Sequence, residues 1–224
     1  MPQKKVIDLS FEVHEGMTTY PVHWHLPVEI TQLGRFGIED RETRKITMGT
    51  HTGTHLDAPR HFIPNGKTID QIDCNLLVGP AVVINLSDLR KSEQISAEIL
   101  KTALKGRKPL RLVLRFDWDQ YWGTLDYYRD HPYLSEECAQ WLVDNGVRVL
   151  LMDTPQVDCS TNGRGSAKDS PIHKIMLGAD VYFVECLCNL RMLSKDEVDI
   201  IALPVKLRGC DGAWVRCVAV ETHP

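Results

Sequence analysis

Between Gly49 and Phe62 the chain reads GTHTGTHLDAPRHF, with His51, His55, Asp57 and His61 all at odd positions. Imidazole and carboxylate side chains are ligands for divalent metals such as zinc, manganese or iron. A lone histidine is ordinarily a hydrogen-bonded core or surface group, but four ligand-type side chains this close together point to a shared centre.

The spacing decides which backbone could bring them together. On an α-helix His51 and His55 would stack one turn apart, while Asp57, two residues further on, would be rotated about 200° to the opposite side. Pro59 pushes Ala58 out of the helical region, and Thr50, Gly53 and Thr54 are poor helix formers. The helical zinc motif with two histidines four apart is therefore the wrong template. In an extended segment the four odd positions share a face, yet a straight strand would put His51 and His55 about 13 Å apart. The segment must bend, and Gly53 and Pro59 allow it. The expectation is a bent strand or loop wrapped around a metal.

Further along the chain, strands are expected at Val6–Leu9, Val28–Leu33 and Arg44–Met48, the last leading into the histidine cluster. The apolar runs Pro80–Leu86, Arg111–Phe116, Val147–Met152 and Ala179–Cys186 read as buried strands. The final two strands are expected at Ile200–Leu207 and Trp214–Val220. Helices are expected over Ser96–Leu104, Ser135–Asn145 and from Ser170-Pro171 to Gly178, with Ser96 and Ser135 as N-caps. Three strand–helix–strand units, spanning Pro80–Phe116, Arg111–Met152 and Val147–Cys186, predict some parallel pairing. The class is α/β: one domain over residues 1–224, with a β-rich mixed sheet core and few helices.

Two loops are aromatic, Met17–Pro27 with Tyr20, His23, Trp24 and His25, and Asp117–Arg129. A third, CSTNGRGSAKDS over residues 159–170, is polar and glycine-containing, but it lacks the order of a phosphate-binding loop. The net charge of −4 and the absence of a dense Lys/Arg stripe argue against a nucleic-acid partner. No apolar stretch suggests a signal peptide or membrane span. The seven cysteines are irregularly spaced with no C-x-x-C pair, as expected for reduced thiols in the cytoplasm. Cys186 and Cys188 read as core residues.

HTGTHLDAPRHF resembles the H-x-G-T-H-x-D-x-P-x-H signature of the cyclase-like metal-dependent hydrolases, the family that includes bacterial kynurenine formamidase and isatin hydrolase. The resemblance continues through Met17–Pro21, Tyr121-Trp122-Gly123 and Pro171-Ile172-His173. It includes Asp153-Thr154-Pro155-Gln156-Val157-Asp158, similar to D-T-P-S-V-D with Gln156 where Ser is usual. It then runs through Val184-Glu185 and Asn189-Leu190 to the closing stretch Leu203–Gly212, similar to L-P-L-K-x-x-G-x-D-G. It thus covers nearly the whole chain. It implies a swivelling β/β/α fold and a homodimer or larger assembly. By position it implies His51, His55 and Asp57 as ligands of one ion, His173 and Glu185 as ligands of a second with Asp57 bridging, and His61 as the catalytic acid/base. One or two divalent ions per subunit are expected, zinc or manganese.

One residue supports this independently. Val181, Phe183, Glu185 and Leu187 share a strand face, and a carboxylate among apolar neighbours is costly unless paired or metal-bound. The chain departs from the family at Arg115-Phe116-Asp117 and at Trp214. The aromatic loops suit an aryl amide, with Tyr20, Trp24, Phe116 and Trp118 as expected substrate contacts. The expected activity is metal-dependent hydrolysis of a C–N bond, an arylformamidase converting N-formylkynurenine to kynurenine and formate. The alternatives are hydrolysis of a cyclic amide such as isatin, or non-catalytic binding of a metal or ligand on the same scaffold.

Overall fold

Continuous apolar runs belong at the centre of a sheet that is covered on both faces. The structure, a computed structural model, describes residues 3–223. It begins with β1 (Gln3–Asp8), a hairpin of β2 (Glu29–Gly34) and β3 (Thr43–Thr47), and the short β4 (His55–Asp57). Next come β5 (Val78–Asn85), β6 (Gln94–Ile95), α1 (Ala97–Leu104), β7 (Arg111–Arg115), α2 (Leu125–Arg129), β8 (Tyr133–Leu134), α3 (Glu136–Asp144) and β9 (Val149–Met152). The last elements are α4 (Pro171–Gly178), β10 (Tyr182–Glu185), β11 (Glu197–Ile201), β12 (Gly212–Trp214) and β13 (Val218–His223).

One nine-stranded sheet runs in the order β1-β13-β11-β5-β7-β9-β10-β4-β12. The pairs β5–β7, β7–β9 and β9–β10 are parallel, as the three strand–helix–strand units predict, and the flanking pairs are antiparallel. Laid flat, this order would separate β12 from β13 by seven strand spacings, roughly 34 Å. Only residues 215–217 join them, a stretch spanning roughly 14 Å at most. The sheet must therefore curl until its ends approach. Across the closure, Cys217 N–H donates to Ser10 Oγ (2.7 Å) and Val215 N–H to the Thr54 carbonyl (3.1 Å).

The strand alternation sorts the core into two layers. Val82, Ile84, Leu112, Leu114, Leu150, Met152 and Phe183 face α1, α3 and α4, while Ala81, Val83, Val113, Val149, Leu151 and Val184 face the inside of the curl against Leu9, Ile200 and Ala219. Each of the Val, Leu, Ile, Met and Phe side chains stabilises the fold by roughly 1.5–3 kcal/mol on burial. Ser96 Oγ and Ser135 Oγ accept from Ile99 N–H and Cys138 N–H, capping α1 and α3 at the positions read from sequence.

Three expectations change. The strand foreseen at 200–207 ends at Ile201, because beyond it Pro204 has no N–H to donate and contributes an isolated bridge to Val215. The strand foreseen at 214–220 is two strands, broken where the chain crosses the closure. The 117–129 loop holds a 3-10 turn at Trp118–Tyr121 and the five-residue α2. The β2–β3 hairpin forms its own two-stranded sheet apart from the main one. Among the described residues no helix is long and apolar enough to cross a membrane, and all seven cysteines are unpaired.

Candidate metal centre

β4 is three residues long and lies between β10 and β12, so its side chains meet residues far away in sequence. The register sets Glu185 opposite His55 on one side and Gly212 opposite Asp57 on the other. Gly53, at φ +62°, turns the preceding loop so that His51 folds back over β4. A Cβ on Gly212 would lie 2.7 Å from His51 Cε1, so His51 occupies space that a larger residue would fill. Pro59 opens a 3-10 turn, Pro59–His61, that carries His61 in from the other direction. The segment is thus a loop, a short strand and a turn, a sharper bend than a single curved strand.

His51, His55 and Asp57 offer ligand atoms all within 4.8 Å of one another, as do Asp57, His173 and Glu185, with Asp57 common to both sets. His55, Asp57, His173 and Glu185 are each at most 4% exposed. Two imidazoles are anchored at Nδ1: His55 bonds the Gly53 carbonyl at 2.8 Å and His173 bonds Asp158 Oδ2 at 2.6 Å. Their Nε2 atoms then turn inward, His55 to 3.2 Å from Asp57 and 3.6 Å from Glu185, and His173 to 3.8 Å and 3.6 Å from the same carboxylates. Such outer anchoring is how a protein orients ligating histidines.

Asp158 and Asp211 join the site, although their spacing in the sequence does not single them out. Asp158 accepts from the backbone N–H groups of Ile172 and His173 as well as from the His173 ring, so it caps α4 at its positive end while orienting the side chain. Asp211 Oδ2 lies 2.8 Å from His51 Nε2 and 3.2 Å from His61 Nδ1. Its own backbone is fixed by Ala58 N–H, which donates to its carbonyl at 2.9 Å. Each is a single aspartate in a loop with no local periodicity. The only signal was their place in the DTPQVD and GCDG segments.

Electrostatics follow from this crowding. Burial alone would lower the His51 pKa, but the Asp57 and Asp211 carboxylates outweigh it and raise it to about 9. Burial likewise opposes the rise at His173, where Asp158 and Glu185 lift the pKa to about 10. Glu185 is pushed up, first by burial and then by the Asp57 carboxylate. His61 is pushed down, chiefly by burial. Glu185 Oε1 is buried without a hydrogen-bond donor among the described residues. A buried oxygen with no donor, amid nitrogen and oxygen atoms of two carboxylates and three imidazoles, fits a divalent metal.

The centre forms the floor of a cavity of about 750 Å³, lined among others by Tyr20, Trp24, His25, Phe62, Gln156, Arg164 and Ser170. Tyr20 and Trp24 therefore lie where substrate contacts were expected. Phe116 and Trp118 do not. Both are buried in the helix-side core and absent from the cavity wall. Their backbone N–H groups donate to the buried Asp153 carboxylate, and Trp118 Nε1 donates to the Tyr127 carbonyl, which ties them inward. Trp214 bonds the Gly49 carbonyl through Nε1 (2.6 Å) and steadies the loop carrying His51.

Comparison with known proteins fits this geometry. A family model described as putative cyclase matches residues 7–159. The chain is 35% identical to a kynurenine formamidase from Geobacillus thermodenitrificans, over 77% of each chain. It is similar in fold to isatin hydrolase A from Labrenzia aggregata bound to benzyl benzoate, with a TM-score of 0.88 at 26% identity, covering 98% of this chain and 94% of that one. A solved protein from Bacillus stearothermophilus, described as a predicted metal-dependent hydrolase, gives a TM-score of 0.77 at 25% identity over 97% and 98% of the two chains.

Proposed function

The chain belongs to the putative cyclase family, and on that premise we propose that it is a metal-dependent amidohydrolase, an arylformamidase that converts N-formylkynurenine to kynurenine and formate. The carrying observation is the convergence of His51, His55, Asp57, His173 and Glu185 beside His61 on one cavity floor. His51, His55 and Asp57 would hold one divalent ion, and Asp57, His173 and Glu185 a second, zinc before manganese. A divalent ion bound there lowers the pKa of water from about 15.7 toward about 7 and polarises a carbonyl.

His61 supplies the proton transfers. Its Nδ1–H donates to Asp211, so the neutral ring keeps its lone pair on Nε2, 4.0 Å from Asp57 Oδ2. Nε2 takes the proton of the attacking water and returns it to the departing aryl nitrogen, while Asp211 steadies the imidazolium formed between those steps. Work of this kind contributes about 10²–10⁴-fold to the rate. The formyl C–N bond breaks, the water oxygen leaves in formate, and the amine departs neutral. Tyr20 offers an aromatic face to the aryl ring, and Trp24 stands further out at the cavity mouth.

The fold likeness to isatin hydrolase A favours a second reading, opening of a cyclic aryl amide. We also place the protein in the cytoplasm as a homodimer. Unpaired thiols support the first, and the hairpin supports the second: Phe36 at its tip is 75% exposed, and Leu33, Ile38 and Ile46 are exposed with it. The test is elemental analysis of protein purified without added metal, followed by hydrolysis assays on N-formylkynurenine and isatin with and without chelator. Chelator-sensitive release of formate from N-formylkynurenine is expected. A metal-loaded protein that cleaves no aryl amide would refute the enzyme reading in favour of a binding protein.

A further inference from the structure

The polar loop of residues 159–170 has no part in the chemistry above, yet it forms one side of the cavity mouth. Arg164 stands on it between Gly163 and Gly165, exposed, with its guanidinium carbon 5.7 Å from the centre of the Trp24 ring. Trp24 belongs to the other mouth loop and is half exposed, whereas His55, Asp57, His173 and Glu185 are buried on the floor. The two side chains therefore meet at the rim, across the opening from one loop to the other.

Arg164 is the one lysine or arginine among the residues lining the cavity. Among the described residues no carboxylate lies within ion-pairing distance of it, although the protein pairs Arg115, Arg191 and Arg216 with aspartates elsewhere. The rim carboxylate, Asp169, is already engaged by Ser170 Oγ at 3.0 Å and lies 3.8 Å from Lys174 Nζ. A guanidinium presents a planar fork of donors that matches a carboxylate, and stacking on an aromatic face leaves that fork free to bind. Hence the mouth holds a guanidinium beside an aromatic ring, with no carboxylate partner among the described residues.

Resting on the arylformamidase reading, we propose that Arg164, backed by Trp24, is a specificity-determining residue that binds a carboxylate carried by the substrate at the end remote from the scissile C–N bond. The substrate class is then an aryl amide bearing an acidic side chain rather than a neutral cyclic amide. Binding at the rim adds affinity for the acidic substrate without touching the bond-breaking step.

The experiment compares the wild-type metal-loaded enzyme with Arg164→Gln and Arg164→Lys on N-formylkynurenine and on its decarboxylated analogue. Arg164→Gln is expected to raise KM for N-formylkynurenine about ten- to hundredfold, as for loss of a charged hydrogen bond, with kcat within about twofold. The decarboxylated analogue should show no change, and Arg164→Lys should recover part of the loss. Equal losses on both substrates, or no change on either, would overturn the proposal. In parallel, equilibrium binding of kynurenine and decarboxylated kynurenine is measured calorimetrically. If the wild type hydrolyses neither formamide, the arylformamidase reading fails by itself and the binding data decide this one. Tighter binding of kynurenine that Arg164→Gln abolishes supports the carboxylate site, and equal binding of the two ligands refutes it.

Discussion

The floor and the rim of the cavity are built in opposite ways. On the floor, side chains are held by more than their place in the chain: His173 by its helix and by Asp158, His55 by its strand and by the Gly53 carbonyl, and Asp211 by its backbone bond to Ala58 and its side-chain bond to His51. At the rim, Trp24 and Arg164 sit on loops and touch each other through a single exposed ring contact. The proposed proton transfer and metal ligation need groups held to a fraction of an ångström. His55, Asp57, Glu185 and His173 lie on strands and a helix, while His51 and His61, on a loop and a 3-10 turn, are tied to Asp57 and Asp211. Selection among substrates needs only a charge in the right region, and loops can carry that. If this division is real, floor substitutions change the chemistry and rim substitutions change the choice of substrate.

The largest break is expected at Asp57, common to both ligand sets. Asp57→Ala should remove bound metal, measured by elemental analysis, and lower kcat about a thousandfold or more, since metal activation supplies several kcal/mol. Retained metal at full stoichiometry would show that the ligand sets do not share this residue. His61→Ala sharpens the floor into two functions: metal content should stay while kcat falls about 10²–10⁴-fold. Should the metal leave as well, His61 is a ligand rather than a proton carrier. A third floor change tests packing. Gly212→Ala places a Cβ 2.7 Å from His51 Cε1 and 3.1 Å from the Leu56 carbonyl oxygen. Overpacking of that kind costs about 1–3 kcal/mol, read as a lower Tm. The displaced His51 should also weaken metal affinity about ten- to hundredfold. An unchanged metal affinity would mean that His51 can move without losing its role.

The same division governs what the sequence could reveal. His51, His55, Asp57 and His61 were legible because they lie within one bent segment, and its glycine and proline announce the bend. The start of α4 was legible from Ser170-Pro171, and with it the placement of His173. Their meeting was not legible from spacing. It depends on β4 inserting between β10 and β12, a pairing between residues more than a hundred positions apart that leaves no local trace. For that the family resemblance was needed. Asp158 and Asp211 stayed hidden for a related reason, since a single carboxylate on a loop has no period. Phe116 and Trp118 misled in the opposite direction. An aromatic cluster beside turn residues reads as a pocket wall, but the buried Asp153 needs backbone donors, and supplying them turns both residues into the core. The closing strands were misread because Pro204 and the sheet closure interrupt an apolar pattern that otherwise looks continuous.

The smallest effect expected is also the most discriminating. Trp24 is half exposed on a loop, so Trp24→Ala should leave stability within about 0.5 kcal/mol of the wild type by thermal denaturation. What it removes is the aromatic face beneath Arg164, an exposed cation–π contact worth about 0.5–1 kcal/mol. Spread over the guanidinium's orientation, that corresponds to an increase in KM of about two- to fivefold for an acidic substrate. Metal content and kcat should not move, because the ligand groups are held by bonds within the floor. A fall in kcat of a hundredfold with metal retained would mean that the rim positions the reacting bond itself. Floor and rim would then be one machine, and specificity could not be altered at the mouth without loss of rate.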